Sequence, residues 1–215
     1  MILNEVVTGL IAVVIAYLLG SINSAYIVTR LVTGKDIRQL GGGNAGGRNV
    51  FREVGFLAAV PVVFFDVGKG AASVAIAHWL LGVPLYEPHY FIFLAGLAAV
   101  AGHMWSVYIK FTGGNGLAAA VGVLAMLMPW ALLIVFGIMG LLTLFTRNPV
   151  LSLNISLLSL PVSAWFLERS WLPVVFSIVL IVIMALNFIP TARAALSKAG
   201  NTQNLGAELL RRDKS

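Results

Sequence analysis

Long runs of apolar side chains, recurring from one end of the sequence to the other, constrain this chain more than any other feature. They occupy residues 6–29, 56–81, 90–109, 150–167 and 172–189, and a sixth covers 117–146. A helix needs about 20 such residues to cross the roughly 30 Å hydrocarbon core of a bilayer. Inside that core only helices and closed barrels satisfy their own backbone polar groups. The runs predict an all-α, polytopic transmembrane helix bundle. Composition agrees, with 60% hydrophobic and 10% charged residues, against about 25% charged in an ordinary soluble domain. A cytosolic enzyme is excluded, and any activity carried by these 215 residues belongs on loops and helix ends.

The run at 117–146 decides the number of spans. Its 30 residues would make a helix about 45 Å long against a core of about 30 Å. Division near Met128-Pro129-Trp130 gives two shorter segments and seven spans in all. With the N-terminus outside, seven spans put Arg30, Lys35, Arg38, Arg48, Arg52, Lys110, Arg147, Arg193, Lys198, Arg211, Arg212 and Lys214 inside. Those are 12 of the 14 basic residues, with Arg169 outside and Lys69 within a span. With six spans the tail and Arg147 would move outside and that asymmetry would nearly vanish, so the positive-inside rule favours about seven spans, N-terminus outside and C-terminus inside. Residues 1–190 are then one transmembrane domain and 191–215 a basic cytoplasmic tail. No basic stretch precedes the first run, which is expected to stay as a span rather than act as a signal peptide.

The net charge of +6 reads as orientation and contact with membrane phospholipid, and no nucleic acid partner is expected. Cysteine is absent, which removes disulfides, thiolate metal sites and a cysteine nucleophile. His78 and His89 have no carboxylate or histidine at ligand spacing, and Met126 and Met128 read as packing residues. No metal and no cofactor are expected.

Three segments are rich enough in polar groups to carry chemistry. The first loop holds Gly41-Gly42-Gly43-Asn44-Ala45-Gly46-Gly47 between Arg38 and the pair Arg48 and Arg52. Glycines let backbone N–H groups approach an anion, and arginines four apart share one helix face and fit phosphate oxygens. A flexible loop whose arginines touch lipid headgroups is the plainer reading. The second loop, His103 to Leu117, ends in Gly113-Gly114-Asn115-Gly116, a turn opening into an apolar helix whose positive end suits phosphate. His103 is a candidate base or a hydrogen-bonded anchor. The third segment is the intramembrane pair Asp66 and Lys69, on one helix face. It is either a functional site or an ion pair holding helices together.

Taken together, these segments resemble the acyl-phosphate-dependent glycerol-3-phosphate acyltransferases of bacteria. In that family the first loop runs D-I-R-x-x-G-S-G-N-x-G-A-T-N-V-x-R. Asp36, Ile37, Arg38, Gly41, Gly43, Asn44, Gly46, Asn49, Val50 and Arg52 keep that register. Asp66, Lys69 and Gly70 match D-x-x-K-G. Gly102, His103, Phe111, Gly113, Gly114 and Gly116 match G-H-x-x-P-x-x-x-x-F-x-G-G-K-G. The sequence departs from the family at Gly42 (serine), Arg48 (threonine), Ser106 (proline) and Asn115 (lysine). Of the third motif, R-H-x-x-N-I, only Asn187 can be placed.

The resemblance implies attack of a glycerol-3-phosphate hydroxyl on the carbonyl of an acyl phosphate, giving lysophosphatidic acid and phosphate at the bacterial inner membrane. It implies Arg52, Asn44, Asn49, His103 and Asn187 as catalytic residues. Arg38, Gly43, Gly46, Arg48, Gly113, Gly114, Asn115 and Gly116 would hold the phosphates, with Arg48 restoring the charge missing at Asn115. The alternatives are an impaired or repurposed relative that binds lipid or phosphate-bearing ligands, and a small anion transporter.

Overall fold

The computed structural model describes residues 2–85 and 87–199, and the side-chain environments of 4–85, 87–149 and 151–189. Among the described residues every regular element is a helix, with no strand. The helices are α1 (Ile2–Ser21), α2 (Ser24–Thr33), α3 (Gly47–Glu53), α4 (Phe56–Leu81), α5 (Tyr90–Met104), α6 (Leu117–Leu127), α7 (Pro129–Thr146), α8 (Pro149–Ser156), α9 (Leu160–Glu168) and α10 (Trp171–Ala199).

Six segments are long and apolar enough to cross a membrane: Asn4–Thr33, Phe56–Leu81, Tyr90–Ile109, Pro129–Thr146, Leu151–Glu168 and Trp171–Ile189. The 117–146 run divides at Met128, whose φ of −144° and ψ of 64° end α6. Pro129 imposes the break, because its ring disfavours helical geometry in the residue before it and it offers no N–H to the turn. The 11-residue α6 is about 16 Å long, roughly half a hydrocarbon core. The outer helices turn large apolar side chains outward, among them Leu57, Phe64, Trp79 and Phe145, the last 84% exposed. Such a surface is stable against lipid tails and not against water.

Two breaks fall inside runs expected to be continuous. At Ile22–Asn23 the first run bends, and the Asn23 side chain accepts the Tyr26 N–H at 2.7 Å to start α2. The run after 149 is α8 and α9 joined by a 3-10 turn at Leu157–Ser159, just before Pro161. At the other end α10 continues to Ala199, so the first residues of the basic tail are helical. The tail from 200 to 215, with Arg211, Arg212 and Lys214, lies outside the described residues.

Glycine sets the closest helix contacts. A Cβ on Gly102 of α5 would overlap the Tyr17 carbonyl of α1, and one on Gly122 of α6 the Val67 carbonyl of α4. Backbones meet at both crossings, which is how membrane helices gain packing without a hydrophobic driving force between them. These crossings bring the loop after α2 and the loop after α5 to the same end of the bundle.

Candidate functional site

The first loop is built from its own polar residues. Asp36 accepts the Arg38 N–H at 2.9 Å and caps a 3-10 turn at Ile37–Gln39. Its carboxylate pairs with the Arg38 guanidinium, Nη2 to Oδ2 at 2.6 Å and Nε to Oδ1 at 3.0 Å. Arg38 Nη1 donates to the Ile109 carbonyl at 2.9 Å and to Thr112 Oγ1 at 3.1 Å. The guanidinium also lies over the Tyr26 ring, 5.5 Å from its centroid. Arg38 is thus occupied as a clamp between the two loops.

The Arg38 hydrogen bond holds the Asp36 carboxyl below its ordinary value of 3.8, against a smaller opposing effect of burial. A carboxylate depressed in the folded state stabilises above the unfolded pKa and loses that contribution as pH falls through the folded one. The clamp is therefore expected to loosen only in acid below the ordinary carboxylate range. Asp36→Asn should loosen it at every pH. Hydrogen exchange of amides 36–44 should be pH-sensitive in this way, after correction for intrinsic rates, in the parent chain and not in the variant.

Asn49 turns inward. Its Nδ2 donates to the carbonyls of Ile37 at 3.2 Å and Leu40 at 3.0 Å, and its Oδ1 accepts the Gly42 N–H at 3.4 Å. Gly41 and Gly43 take φ of +52° and +72°, which only glycine adopts without strain. A Cβ on Gly42 would meet nothing within 4 Å, so the family serine is replaced by open space. Arg48 and Arg52 stand exposed one turn apart on α3.

The second loop folds onto the first. Ala45 N–H donates to the Gly113 carbonyl at 3.2 Å, and Asn44 Nδ2 donates to Asn115 Oδ1 at 2.6 Å. Asn187 of α10 donates from Nδ2 to the Gly114 carbonyl at 3.2 Å, so the third-motif asparagine joins the same junction. Gly43 and Gly114 use their N–H groups within the loops, toward the carbonyls of Leu40 at 3.0 Å and His103 at 3.1 Å. They shape the loops. Gly116, at φ +85°, begins α6 with no side-chain cap, so the positive end of that helix is left to its backbone amides.

Beneath the junction lies a buried polar cluster. Asp66 Oδ1 accepts from Lys69 Nζ at 2.7 Å and from Ser24 Oγ at 2.8 Å. Lys69 Nζ also donates to the Ile22 carbonyl at 2.8 Å, at the break between α1 and α2. His103 Nδ1 is 3.4 Å from Asp66 Oδ1 but off the line of a hydrogen bond. This geometry fits the helix-holding reading of the Asp66–Lys69 pair.

Sequence reasoning passed over Ser24, and it noted Ser106 only as a departure from the family's proline. Ser106, at the family's proline position, donates to the Ser21 carbonyl at 2.6 Å. The polar break Ser21–Ser24 within an otherwise apolar run was the available signal. The structure thus gathers Arg38, Asn44, Asn49, His103, Asn115 and Asn187 with the glycines around one loop junction.

The family model described as glycerol-3-phosphate acyltransferase matches residues 10–198. Glycerol-3-phosphate acyltransferase 1 of Dehalococcoides mccartyi (strain ATCC BAA-2266 / KCTC 15142 / 195) is 40% identical over 199 residues, covering 90% of this chain and 94% of that protein. Glycerol-3-phosphate acyltransferase 2 of the same strain is 38% identical, covering 93% and 92%. Among solved structures, the glycerol 3-phosphate form of PlsY (YgiH), an integral membrane glycerol 3-phosphate acyltransferase, superposes with a TM-score of 0.77 at 29% identity, over 88% of this chain and 92% of that one. The lysophosphatidic acid form of PlsY superposes with a TM-score of 0.75.

Proposed function

This chain belongs to the glycerol-3-phosphate acyltransferase family, and we propose that it acylates glycerol-3-phosphate with an acyl phosphate as donor. The glycerol hydroxyl attacks the acyl carbonyl, the carbon–oxygen bond to phosphate breaks, and the hydroxyl proton leaves with inorganic phosphate. The product is lysophosphatidic acid. A mixed anhydride is already activated, so positioning and charge neutralisation carry most of the rate.

Two anionic substrates must be brought together, and one observation supports that reading above the others. Two glycine loops about 70 residues apart in sequence are joined through Asn44 and Asn115 at 2.6 Å, with Arg48 and Arg52 on the helix that leaves the first loop. In this scheme Arg52 binds phosphate bidentately. Arg48 supplies the positive charge that Asn115 does not. The amides at the start of α6 receive the second phosphate. Asn44 and Asn187 orient the acceptor, while Arg38, Asn49 and the glycines fix the loops.

The same reading puts the chain in a bacterial inner membrane, N-terminus outside, with the junction on the cytoplasmic side. It counts seven spans, α6 among them. Ala119, Ala120, Val123 and Leu124 of α6 are buried, so this short helix meets protein along its length and need not match the lipid thickness.

Purified protein in liposomes, given acyl phosphate and labelled glycerol-3-phosphate, should form lysophosphatidic acid and inorganic phosphate in equal amounts. An acyl thioester used equally well would overturn the donor assignment. Because the chain has no cysteine, single cysteines at Arg52 and Asn115 should label from the same side. Labelling from opposite sides would overturn the site.

A further inference from the structure

We propose that His103 is a positioning residue for the transfer reaction, seated with Nδ1 against Asp66 so that its imidazole forms the floor of the turn Gly113–Gly116. The inference rests on the acyltransferase reading and concerns a group that the scheme above leaves without a part.

His103 is 3% exposed, near the end of α5. Its main-chain carbonyl accepts the Gly114 N–H at 3.1 Å. Its ring Nε2 stands where a Gly114 side chain would be, so imidazole and turn are in direct contact and only glycine fits. A residue so buried does not reach a substrate at the rim. It acts through the turn that lies on it.

The other edge of the ring faces the bundle. Nδ1 lies 3.4 Å from Asp66 Oδ1 and has no hydrogen-bond partner of its own. Asp66 is itself fixed from two sides, by Lys69 on its own helix and by Ser24 on α2, and Lys69 reaches on to the Ile22 carbonyl. Lys69 is also the charged group that cancels Asp66. If the pair only held helices together, these contacts would complete it, since a buried charge needs one opposite partner and satisfied hydrogen bonds. Placement of a third ionisable group at Asp66, with its far nitrogen against the glycine turn, links the centre of the bundle to the loop junction. Asn187 and Ala45 hold the same turn from its two carbonyls, at Gly114 and Gly113. The ring supports it from below.

The test uses the full chain in liposomes, with His103→Ala, His103→Gln, Asp66→Asn and the double variant Asp66→Asn/His103→Ala. Turnover gives kcat and KM for glycerol-3-phosphate, and protection by glycerol-3-phosphate against thermal unfolding reads affinity without turnover. His103→Ala should lower kcat/KM roughly 10- to 100-fold, with the change appearing in KM, since misplacing a positioned group by about 1 Å costs up to about 100-fold. His103→Gln, which keeps a polar group near Nε2, should recover most of that loss. Asp66→Asn also leaves the buried Lys69 without its opposite charge, so it lowers stability as well. On the folded fraction it should raise KM several-fold, and the double variant should have a KM no higher than that of His103→Ala, because on KM both act through one contact.

A purely structural role would instead lower the folded fraction and leave KM in the folded remainder unchanged. That result, or effects of the two single changes that multiply in the double variant, overturns the proposal. Should His103→Ala not fold, His103→Gln and its combination with Asp66→Asn supply the same cycle. Wild-type turnover with unchanged variant KM overturns this inference alone, whereas a wild-type protein that forms no lysophosphatidic acid overturns the acyltransferase reading beneath it.

Discussion

Alanine at Gly113 is expected to lower kcat/KM for glycerol-3-phosphate by about 100-fold or more, the cost of moving a positioned group by roughly 1 Å. The added Cβ would fall against the His103 carbonyl oxygen and within 2.6 Å of the Met104 carbonyl oxygen. Both are backbone atoms at the end of α5 and cannot rotate away. The turn must therefore move outward, which stretches the bond from Ala45 N–H to the Gly113 carbonyl and shifts Asn115 away from Asn44. Overpacking of this kind also destabilises by about 1–3 kcal/mol, so activity should be read on the folded fraction. Gly42→Ala is the control. The same methyl group there meets nothing within 4 Å, and a substitution in open space should change stability by no more than about 0.5 kcal/mol and leave activity near the parent's. Equal losses at Gly42 and Gly113 would mean that the glycines act through backbone freedom and not through close packing.

Arg52→Ala should lower lysophosphatidic acid formation by about 100- to 1000-fold, the usual cost of removing one preorganised donor from a transition state that develops charge. Arg52 is an exposed residue one turn beyond Arg48, so its removal leaves no core cavity, and alanine suits the helix. The loss should therefore appear in turnover measured on the folded fraction, beyond whatever the change in melting temperature accounts for. Arg52→Lys keeps the charge without the two-pronged geometry and should retain only part of the activity. A loss in Arg52→Ala that tracks a fall in melting temperature would assign the residue to α3 and not to phosphate. Arg48→Ala with unchanged glycerol-3-phosphate affinity would remove its part in replacing the missing lysine at Asn115.

Several site residues were legible in part. The sequence placed Arg38 among phosphate ligands, and the structure occupies its guanidinium with Asp36, Ile109 and Thr112. Nothing in the first loop foretells that the second loop offers a carbonyl at that spot. Asn187 is the one residue of its motif that the sequence places, the arginine and histidine being absent, and its bond to the Gly114 carbonyl shows where it sits. The sequence left the Asp66–Lys69 pair open between a functional site and a structural bond. Ser24 and the Ile22 carbonyl, brought close by a bend in the first run, complete its hydrogen bonds.

The membrane-embedded helical class was readable from the amino acids alone, as were the division at Pro129 and the identity of the two glycine loops. Each depends on properties a residue keeps wherever it stands: the cost of taking its side chain out of water, and the dihedral angles that glycine permits and proline forbids. The meeting of Asn44 with Asn115, the inward turn of Asn49 and the seat of His103 against Gly114 came only with the tertiary structure. They depend on how closely α1 approaches α5 and α4 approaches α6, distances set by pairs of surfaces far apart in the chain.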